Sequence, residues 1–314
     1  MTHIYIIHEN KEWTAPLLKH LDDMQLPYKE WFLNEGTLDL SDIPPEGIFY
    51  NRISASSHTR DHRYSAEYTA SVLAWLNAHN RIVLNSERAL ALEISKIAQY
   101  SSLQANGIKI PKTIAAIGKT QIIEAAKKMT PPFITKHNRG GKGLGVQLFH
   151  SIIALETYIN NDQFEKPIDG ITLIQEYIQS PEPYITRCEF INGKFLYAVR
   201  VDTSEGFELC PADACSIGDN FCPTTTKTKA KFEIIENFNH PILTKYEKFL
   251  SENDITFAGI EFIKDKAGNL FTYDVNTNTN YNTDAENNVG IYGMKEIANV
   301  LGTKLKELKA IKKI

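Results

Sequence analysis

The 314-residue sequence is poor in the features that mark membrane, secreted and nucleic-acid-binding proteins. No apolar run is long enough to cross a bilayer, so we expect no membrane partner. The chain begins with a short strand-like run, residues 4–7, and lacks the basic region and small-residue site of a signal peptide. The formal net charge is -4 and no long basic run appears, whereas a nucleic-acid-binding surface needs clustered positive charge. We therefore expect a cytoplasmic protein without a nucleic-acid partner.

Cysteine is also scarce, with only Cys188, Cys210, Cys215 and Cys222 in the whole chain. A reducing cytoplasm argues against disulfides between them. The last three are separated by four and six residues. Structural zinc sites favour ligand pairs with roughly two to four intervening residues. We expect buried or pocket-lining thiols, with a zinc site as the alternative.

Apolar residues make up 42% of the chain and charged residues 23%, an ordinary globular balance that allows two or three units with cores. We find neither an internal repeat nor a low-complexity linker. The first 85 residues alternate strand and helix patterns, which predicts a small, largely parallel sheet covered by helices. The predicted strands are 4–8, 28–33, 47–50 and 81–84, and the predicted helices are 13–24 and 63–78.

The rest of the chain mixes helices with longer strands. Predicted helices cover 86–106, 119–129, 152–159, 241–253 and 294–301, and the lysines of 304–314 fit the solvated face of a final helix. Predicted strands cover 133–137, 145–149, 171–175, 185–191, 194–201, 257–264 and 270–276. Asn192-Gly193 is a strong hairpin signal between two of these strands. We assign the chain to the α/β (α+β) class, with units at 1–92, 93–170 and 171–314.

The most informative segment is a glycine-rich loop between two predicted strands, Arg139-Gly140-Gly141-Lys142-Gly143-Leu144-Gly145. Four glycines within six residues make a flexible tip whose backbone N–H groups can approach an anion closely. Lys136 ends the preceding strand and Lys142 adds a second cation. The pattern predicts polyphosphate binding, with a mobile surface hairpin as the alternative. It is neither a Walker loop nor a Rossmann fingerprint, because both of those lead into a helix.

A second group of polar residues lies on the predicted hairpin near the end of the chain. Glu261 occupies one strand, and Asp274 and Asn276 project from one face of the other because they are two residues apart. Two carboxylates and an amide oxygen suit a hard cation such as Mg²⁺. The alternative is a solvated sheet face that carries two acids. We predict a metal site formed by these three residues.

Two further segments carry weaker signals. Residues 173–178 form a strand that runs into a proline-rich stretch, and such a strand end can read an adenine edge, although an ordinary core strand looks the same. The loop 50–60 follows a strand end, where ligands bind in open α/β sheets. It offers Arg52, His58 and Arg60 for a substrate carboxylate. The alternative is a polar loop that leads into a helix.

In order and spacing these motifs resemble those of the ATP-grasp superfamily, particularly its RimK-like glutamate ligases. The resemblance covers about residues 93 to 303. It runs through Lys96, fifteen residues before Pro111, then RGGKGLGV at 139–146, QEYI at 175–178, Arg187-Cys188, GIEF at 259–262 and YDVNTN at 273–278. One of these motifs alone would be weak evidence for the resemblance, whereas six motifs in the same order are strong evidence. Residues 1–92 match the family's N-terminal α/β domain only in length and in the alternation of strands and helices.

The resemblance implies an ATP-grasp fold in which two α+β lobes sandwich ATP, with Mg²⁺ or Mn²⁺. It implies that the chain joins a small-molecule or peptide carboxylate to an amine, often that of glutamate, through an acyl phosphate. An ATP-binding regulatory or scaffold protein without turnover is the alternative. Related enzymes are often dimers or tetramers, so a homo-oligomer is also an expectation.

The resemblance also assigns residues to roles. The phosphates would contact Lys96, Lys136 and the loop residues Arg139, Gly140, Gly141, Lys142, Gly143 and Gly145. The adenine would contact Gln175, Glu176, Tyr177 and Ile178, the metal ions would bind Glu261, Asp274 and Asn276, and the acyl phosphate would face Arg187 and Arg200. We assign Asn278 to the substrate, with Arg52, His58 and Arg60.

The chain departs from the family at two places. Ile185 stands where RimK-like enzymes usually carry an aspartate for the ribose, and Glu182, just upstream, is our candidate for that role. The stretch 209–213 stands where the family often carries an Arg-Ser-Asn sequence near the phosphate and the substrate. This second departure concerns the acceptor substrate more than the ATP chemistry.

Overall fold

The computed structural model describes residues 2–141, 143, 145–162, 164–204 and 231–311. Our predictions for Cys210, Cys215, Cys222, Lys142 and the stretch 209–213 therefore lie outside the described residues. Within the described part, three sheets form, one from residues before 85 and two from residues after 112.

The first sheet is parallel and has the strand order β2-β1-β3-β4. Its strands are β1 (His3–His8), β2 (Tyr28–Phe32), β3 (Gly47–Asn51) and β4 (Ile82–Leu84), and its helices are α1 (Lys11–Asp23) and α2 (Ser65–Ala78), with a 3₁₀ turn at Ser57–Arg60. Helix α1 begins after Asn10, whose side chain accepts a hydrogen bond from the Trp13 amide. The predicted elements of this region are all present, within two residues at each end.

Two helices follow where we predicted one over 86–106. Helix α3 (Glu87–Glu93) ends at Ile94, and helix α4 (Lys96–Ala105) begins after Ser95. Ser95 has an extended backbone and its hydroxyl accepts a hydrogen bond from the Ala98 amide, so it caps the second helix. The apolar periodicity continues across the break, which is why the pattern alone did not reveal it.

The second sheet is antiparallel and has the strand order β5-β8-β6-β7. Its strands are β5 (Thr113–Ala116), β6 (Phe133–His137), β7 (Gln147–Phe149) and β8 (Thr172–Glu176), and its helices are α5 (Lys119–Ala126) and α6 (Ile152–Asn160). We did not predict β5, which has four residues and too little alternation to be recognised alone.

The third sheet is also antiparallel and has the strand order β11-β10-β9-β12-β13. Its strands are β9 (Tyr184–Ile191), β10 (Lys194–Asp202), β11 (Phe232–Ile235), β12 (Phe257–Lys264) and β13 (Leu270–Asn276), and α7 (Ile242–Glu252) precedes β12. The predicted turn joins β9 to β10, where Asn192 and Gly193 have φ values of 52° and 68°. Strand β11 was not predicted.

Two helices end the described chain, α8 (Thr283–Val289) and α9 (Gly293–Ile311). Helix α8 was not predicted, and α9 joins the predicted helix 294–301 to the helix that we expected from residue 304 onward. Helix α9 packs on α1, β1 and β3, so the end of the chain returns to the first sheet. One face of the third sheet shares this core, and the other face packs on α3, α4 and α7. None of the helices within the described ranges is both long and apolar enough to cross a membrane.

Candidate functional site

A cleft of about 570 Å³ opens where the three sheets meet. Its wall collects side chains from distant parts of the chain. They include Lys96, Lys136, Gly140, Gly141, Gly143, residues 175–183, Arg187, Glu261, Asp274, Asn276 and Asn278. The cleft thus brings together all three of the predicted polyphosphate, adenine and metal sites.

Two lysines enter this cleft from different elements. Lys96 is the first residue of α4, and its Nζ atom lies 2.6 Å from Oδ1 of Asp274. Lys136 lies on β6, contacts the Tyr100 hydroxyl, and has its Nζ atom 5.1 Å from the centre of the Tyr100 ring. Burial and the nearby Lys96 lower the pKa of Lys136 to about 7, although Asp274 and Glu261 oppose the shift. An added anion would therefore stabilise the charged form of Lys136.

The three predicted metal ligands lie on neighbouring strands. Glu261 of β12 is paired directly with Asp274 of β13, and Asn276 is paired with Gly259. The side-chain amide nitrogen of Asn276, Nδ2, lies 3.5 Å from Oε1 of Glu261. Burial raises the pKa of Glu261, Arg187 opposes this, and the carboxylate of Asp274 adds to it. A divalent cation would relieve the repulsion between the two acids, and the oxygen donors match those that Mg²⁺ prefers, so the residues fit such an ion.

Arg187 lies on β9 beside this acidic pair. Its Nη1 atom donates to Glu261 at 3.0 Å and its Nε atom donates to Glu189, which lies two residues further on the same strand. Burial raises the pKa of Glu189 to about 7, although Arg187 opposes the shift. Gly259 lies beneath the guanidinium, since a Cβ atom built there would be 2.3 Å from Nη2 of Arg187. We did not predict Glu189, although a spacing of two on one strand was a usable signal.

The strand end that we predicted for adenine, residues 175–178, lines the cleft. Gln175 donates to the Thr113 hydroxyl at 2.7 Å, and the Glu176 carboxylate accepts from the Lys112 amide at 2.8 Å. Glu182 lines the cleft and pairs with Arg200 at 2.9 Å. Arg200 itself lies behind Glu182, with its guanidinium 3.9 Å from the centre of the Tyr184 ring, and is not part of the wall.

The structure does not bring Arg52, His58 and Arg60 to the cleft wall. Arg52 is only 1% exposed, and its guanidinium donates to backbone oxygens of Trp13 and Thr279, so it holds the protein's own segments together. The predicted substrate role of Arg52 is not supported because its side chain is buried, and a polar sequence pattern does not reveal burial.

Arg60 and His58 are likewise bound within the first unit. Arg60 pairs with the fully buried Glu9 at 2.7 Å and its guanidinium lies 4.7 Å from the centre of the Trp13 ring. Nδ1 of His58 lies 3.1 Å from the carbonyl oxygen of Ala55. The residues of this loop that do reach the wall are Ser54, Ala55 and Ser56, and Trp13 lies beside them.

Three described glycines of the glycine-rich loop also line the cleft. They are Gly140, Gly141 and Gly143, whereas Arg139 points away and pairs with Glu67 of α2. Gly145 has a φ of +74° and lies against the His137 ring, so only a residue without a side chain suits that position. Glu67 and its contact with Arg139 were not predicted, because their residues are 72 positions apart in the chain.

Known proteins resemble this chain in sequence over part of its length and in fold over nearly all of it. No family model matches the chain. A probable alpha-L-glutamate ligase from Aeromonas salmonicida is 29% identical over 140 residues, which is 44% of this chain and 46% of that protein. The chain thus spans about half the length of the curated relatives it matches.

Solved structures match over nearly the whole chain. The RimK domain ATP-grasp protein from Sphaerobacter thermophilus has a TM-score of 0.65 at 13% identity, covering 95% of this chain and 98% of its own. The ATP-grasp ligase PsnB, solved with a minimal precursor, Mg and ADP, has a TM-score of 0.64 at 13% identity, covering 95% and 96%. These structures show that the chain has the fold of ATP-grasp ligases. Part of its sequence is also similar to that of a probable alpha-L-glutamate ligase.

Proposed function

We propose that the chain is an ATP-dependent, Mg²⁺-requiring ligase that joins a carboxylate to an amine and releases ADP and phosphate. One observation carries the proposal: two lysines, a glycine-rich loop, an acidic strand pair and Arg187 meet in a single cleft. Each of these groups suits a part of a nucleoside triphosphate or of its divalent ion. Because ATP is the proposed co-substrate, we place the reaction in the cytoplasm.

The proposed chemistry has two steps. A carboxylate oxygen of the substrate attacks the γ-phosphorus of ATP, ADP leaves, and an acyl phosphate forms. The amine then attacks the acyl carbon, the C–O bond to phosphate breaks, and the amine loses a proton as the amide forms. Such a reaction needs mainly alignment and charge neutralisation, and alignment alone contributes on the order of 7–11 kcal/mol to catalysis.

The positions of the residues in the cleft suggest a separate role for each of them in this reaction. Lys96 and Lys136 would hold phosphate oxygens, and Arg187 would face the charge that develops on the acyl phosphate. Glu261, Asp274 and Asn276 would hold Mg²⁺, which when bound neutralises phosphate charge. Because Lys96 pairs with Asp274 in the structure, metal binding would release this lysine toward the phosphates.

The substrates are proposed from the relatives. A relative is named a probable alpha-L-glutamate ligase, and PsnB was solved with a precursor peptide. We propose that the chain adds glutamate or another amino acid to a peptide or small-molecule carboxylate. Ser54, Ser56 and Asn278 also line the cleft and offer hydrogen-bonding groups for such a polar substrate.

The first prediction tests the reaction and the metal ligands together. We expect ADP release from ATP and Mg²⁺ to depend on an amino acid from a pooled panel and on a carboxylate from cell extract, with the product identified by mass spectrometry. Glu261→Gln and Asn276→Ala should lower this rate by at least about a hundredfold, because the first replaces a charged ligand by a neutral one and the second removes a ligand.

The control is Glu233→Gln, which changes an exposed acid on β11 of the same sheet and should leave the rate unchanged. Wild-type rates in both ligand variants would refute the metal assignment. If the wild-type chain binds ATP but no panel and extract elicit ADP release, the ligase proposal fails in favour of an ATP-binding protein without turnover.

A further inference from the structure

An ion pair joins the stem of the glycine-rich loop to the N-terminal unit. Nη1 of Arg139 lies 2.7 Å from Oε1 of Glu67, and Nη2 lies 3.5 Å from Oε2, so each terminal guanidinium nitrogen faces one carboxylate oxygen. Glu67 lies in the first turn of α2, and Arg139 directly precedes Gly140. This is the paired geometry in which arginine recognises a carboxylate most specifically.

The pair is more enclosed than an ordinary surface salt bridge. The Arg139 side chain is 5% exposed, whereas that of Glu67, which also pairs with Arg63, is 47% exposed. Although burial opposes it, hydrogen bonds from Arg139 and Arg63 lower the pKa of Glu67 to about 2. Glu67 is therefore ionised near neutral pH, so its negative charge is available to Arg139.

The same loop touches the N-terminal unit at a second place. A Cβ atom built on Gly141 would lie 3.7 Å from Cβ of Ser56, which is ordinary contact distance. Gly141 and Ser56 both line the cleft. The phosphate side and the proposed substrate side of the cleft therefore meet directly beside the Arg139–Glu67 pair.

We propose that Glu67 is a positioning residue that holds the glycine-rich loop against the N-terminal unit through Arg139. The kinetic part of this inference rests on the proposed ligase function. A loop held in this way would exclude water from the acyl phosphate. Water that attacks the acyl phosphate regenerates the carboxylate and releases phosphate, so ATP is consumed without formation of an amide.

The test uses Glu67→Gln, which keeps the shape of the side chain and removes its charge. We expect the KM for ATP to rise roughly five- to tenfold, because ATP binding must then order a looser loop. The ratio of ADP released to amide formed should rise, and amide hydrogen exchange should quicken in the peptide that contains Arg139, Gly140 and Gly141. The rate of chemistry should change less than the KM for ATP.

Two further variants make the test specific. Arg63→Gln removes the other arginine on the same carboxylate without touching the loop, and it should match the wild type in all three measurements. The exchanged pair Glu67→Arg with Arg139→Glu should recover part of the loss in coupling.

Several outcomes would overturn the inference. They are a Glu67→Gln variant with wild-type hydrogen exchange and wild-type coupling, or equal effects of Glu67→Gln and Arg63→Gln. A chain without ligase activity would refute the proposed function alone. Hydrogen exchange and the binding of a non-hydrolysable ATP analogue would then still decide whether Glu67 holds the loop.

Discussion

Arg187 is the residue on which the charges of the site converge. Its guanidinium is buried between Glu189 and Glu261 and lies across Gly259. Buried ions are stable only while each keeps its partner, and removing one partner typically costs several kcal/mol. The sequence predicted Arg187 and Glu261 through a motif. It could not predict the contact with Gly259, because that contact depends on the register of β9 against β12.

Gly259→Ala tests this arrangement at one atom. The added methyl group would overlap the guanidinium, which cannot move without leaving Glu189 and Glu261 uncompensated. We expect the free energy of unfolding to fall by roughly 2–4 kcal/mol, measured by urea denaturation. Gly140→Ala is the control, because its new Cβ would have no neighbour nearer than 3.7 Å. Similar losses in both variants would contradict the account.

At the scale of elements, helix α4 covers the edge of the third sheet that is formed by strand β13. Strand β13 ends the strand order, and α4 presents three side chains to it along one face. Lys96 pairs with Asp274, the Tyr100 hydroxyl donates to the Tyr273 carbonyl at 2.8 Å, and Gln99 bonds to Val275. A covered edge cannot pair with another chain, and here the cover also fixes the first lysine of the site.

Gln99→Glu is the prediction at this scale. The Gln99 amide donates to the carbonyls of Leu92 and Val275 and accepts from the Val275 amide. A carboxylate keeps only the acceptor and is buried, since Gln99 is 1% exposed. We expect a loss of roughly 2–4 kcal/mol in unfolding free energy. Gln104→Glu, on the exposed face of the same helix, should change the value by less than about 0.5 kcal/mol. Equal effects in the two variants would show that the bonds from Gln99 to β13 do not stabilise the protein.

The sequence was informative about elements and poor about how they meet. Strands β12 and β13 and the residues on them followed from alternation and from a turn. The break before Ser95 did not, because a capping serine inside a continuous apolar pattern looks like any helical residue. Neither Gln99 nor Glu67 carries a local signal, since each acts on a residue far away in the chain.

At the scale of the whole molecule, the end of the chain closes the first unit. Leu301 and Leu305 of α9 are buried in a core that also contains Ile4 and Ile48 of the first sheet and Phe257 of the third. The unit edges that we predicted at 92 and 170 stay predictions. A helix from the last predicted unit completes the core of the first predicted unit. Local periodicity predicted that α9 is a helix, but the partner of its apolar face is a tertiary property.

This shared core predicts that the first and third sheets unfold together. All three tryptophans, Trp13, Trp31 and Trp75, lie in the N-terminal unit, so their fluorescence reports on it, whereas far-ultraviolet circular dichroism reports on the whole chain. Leu301→Ala leaves a cavity in the common core, and we expect both urea transitions to shift together by roughly 2–5 kcal/mol. Lys306→Ala, on the exposed face of α9, is the control and should shift neither. If Leu301→Ala moved the circular dichroism transition but not the fluorescence transition, α9 would not be part of the N-terminal core, and the two sheets would be independent.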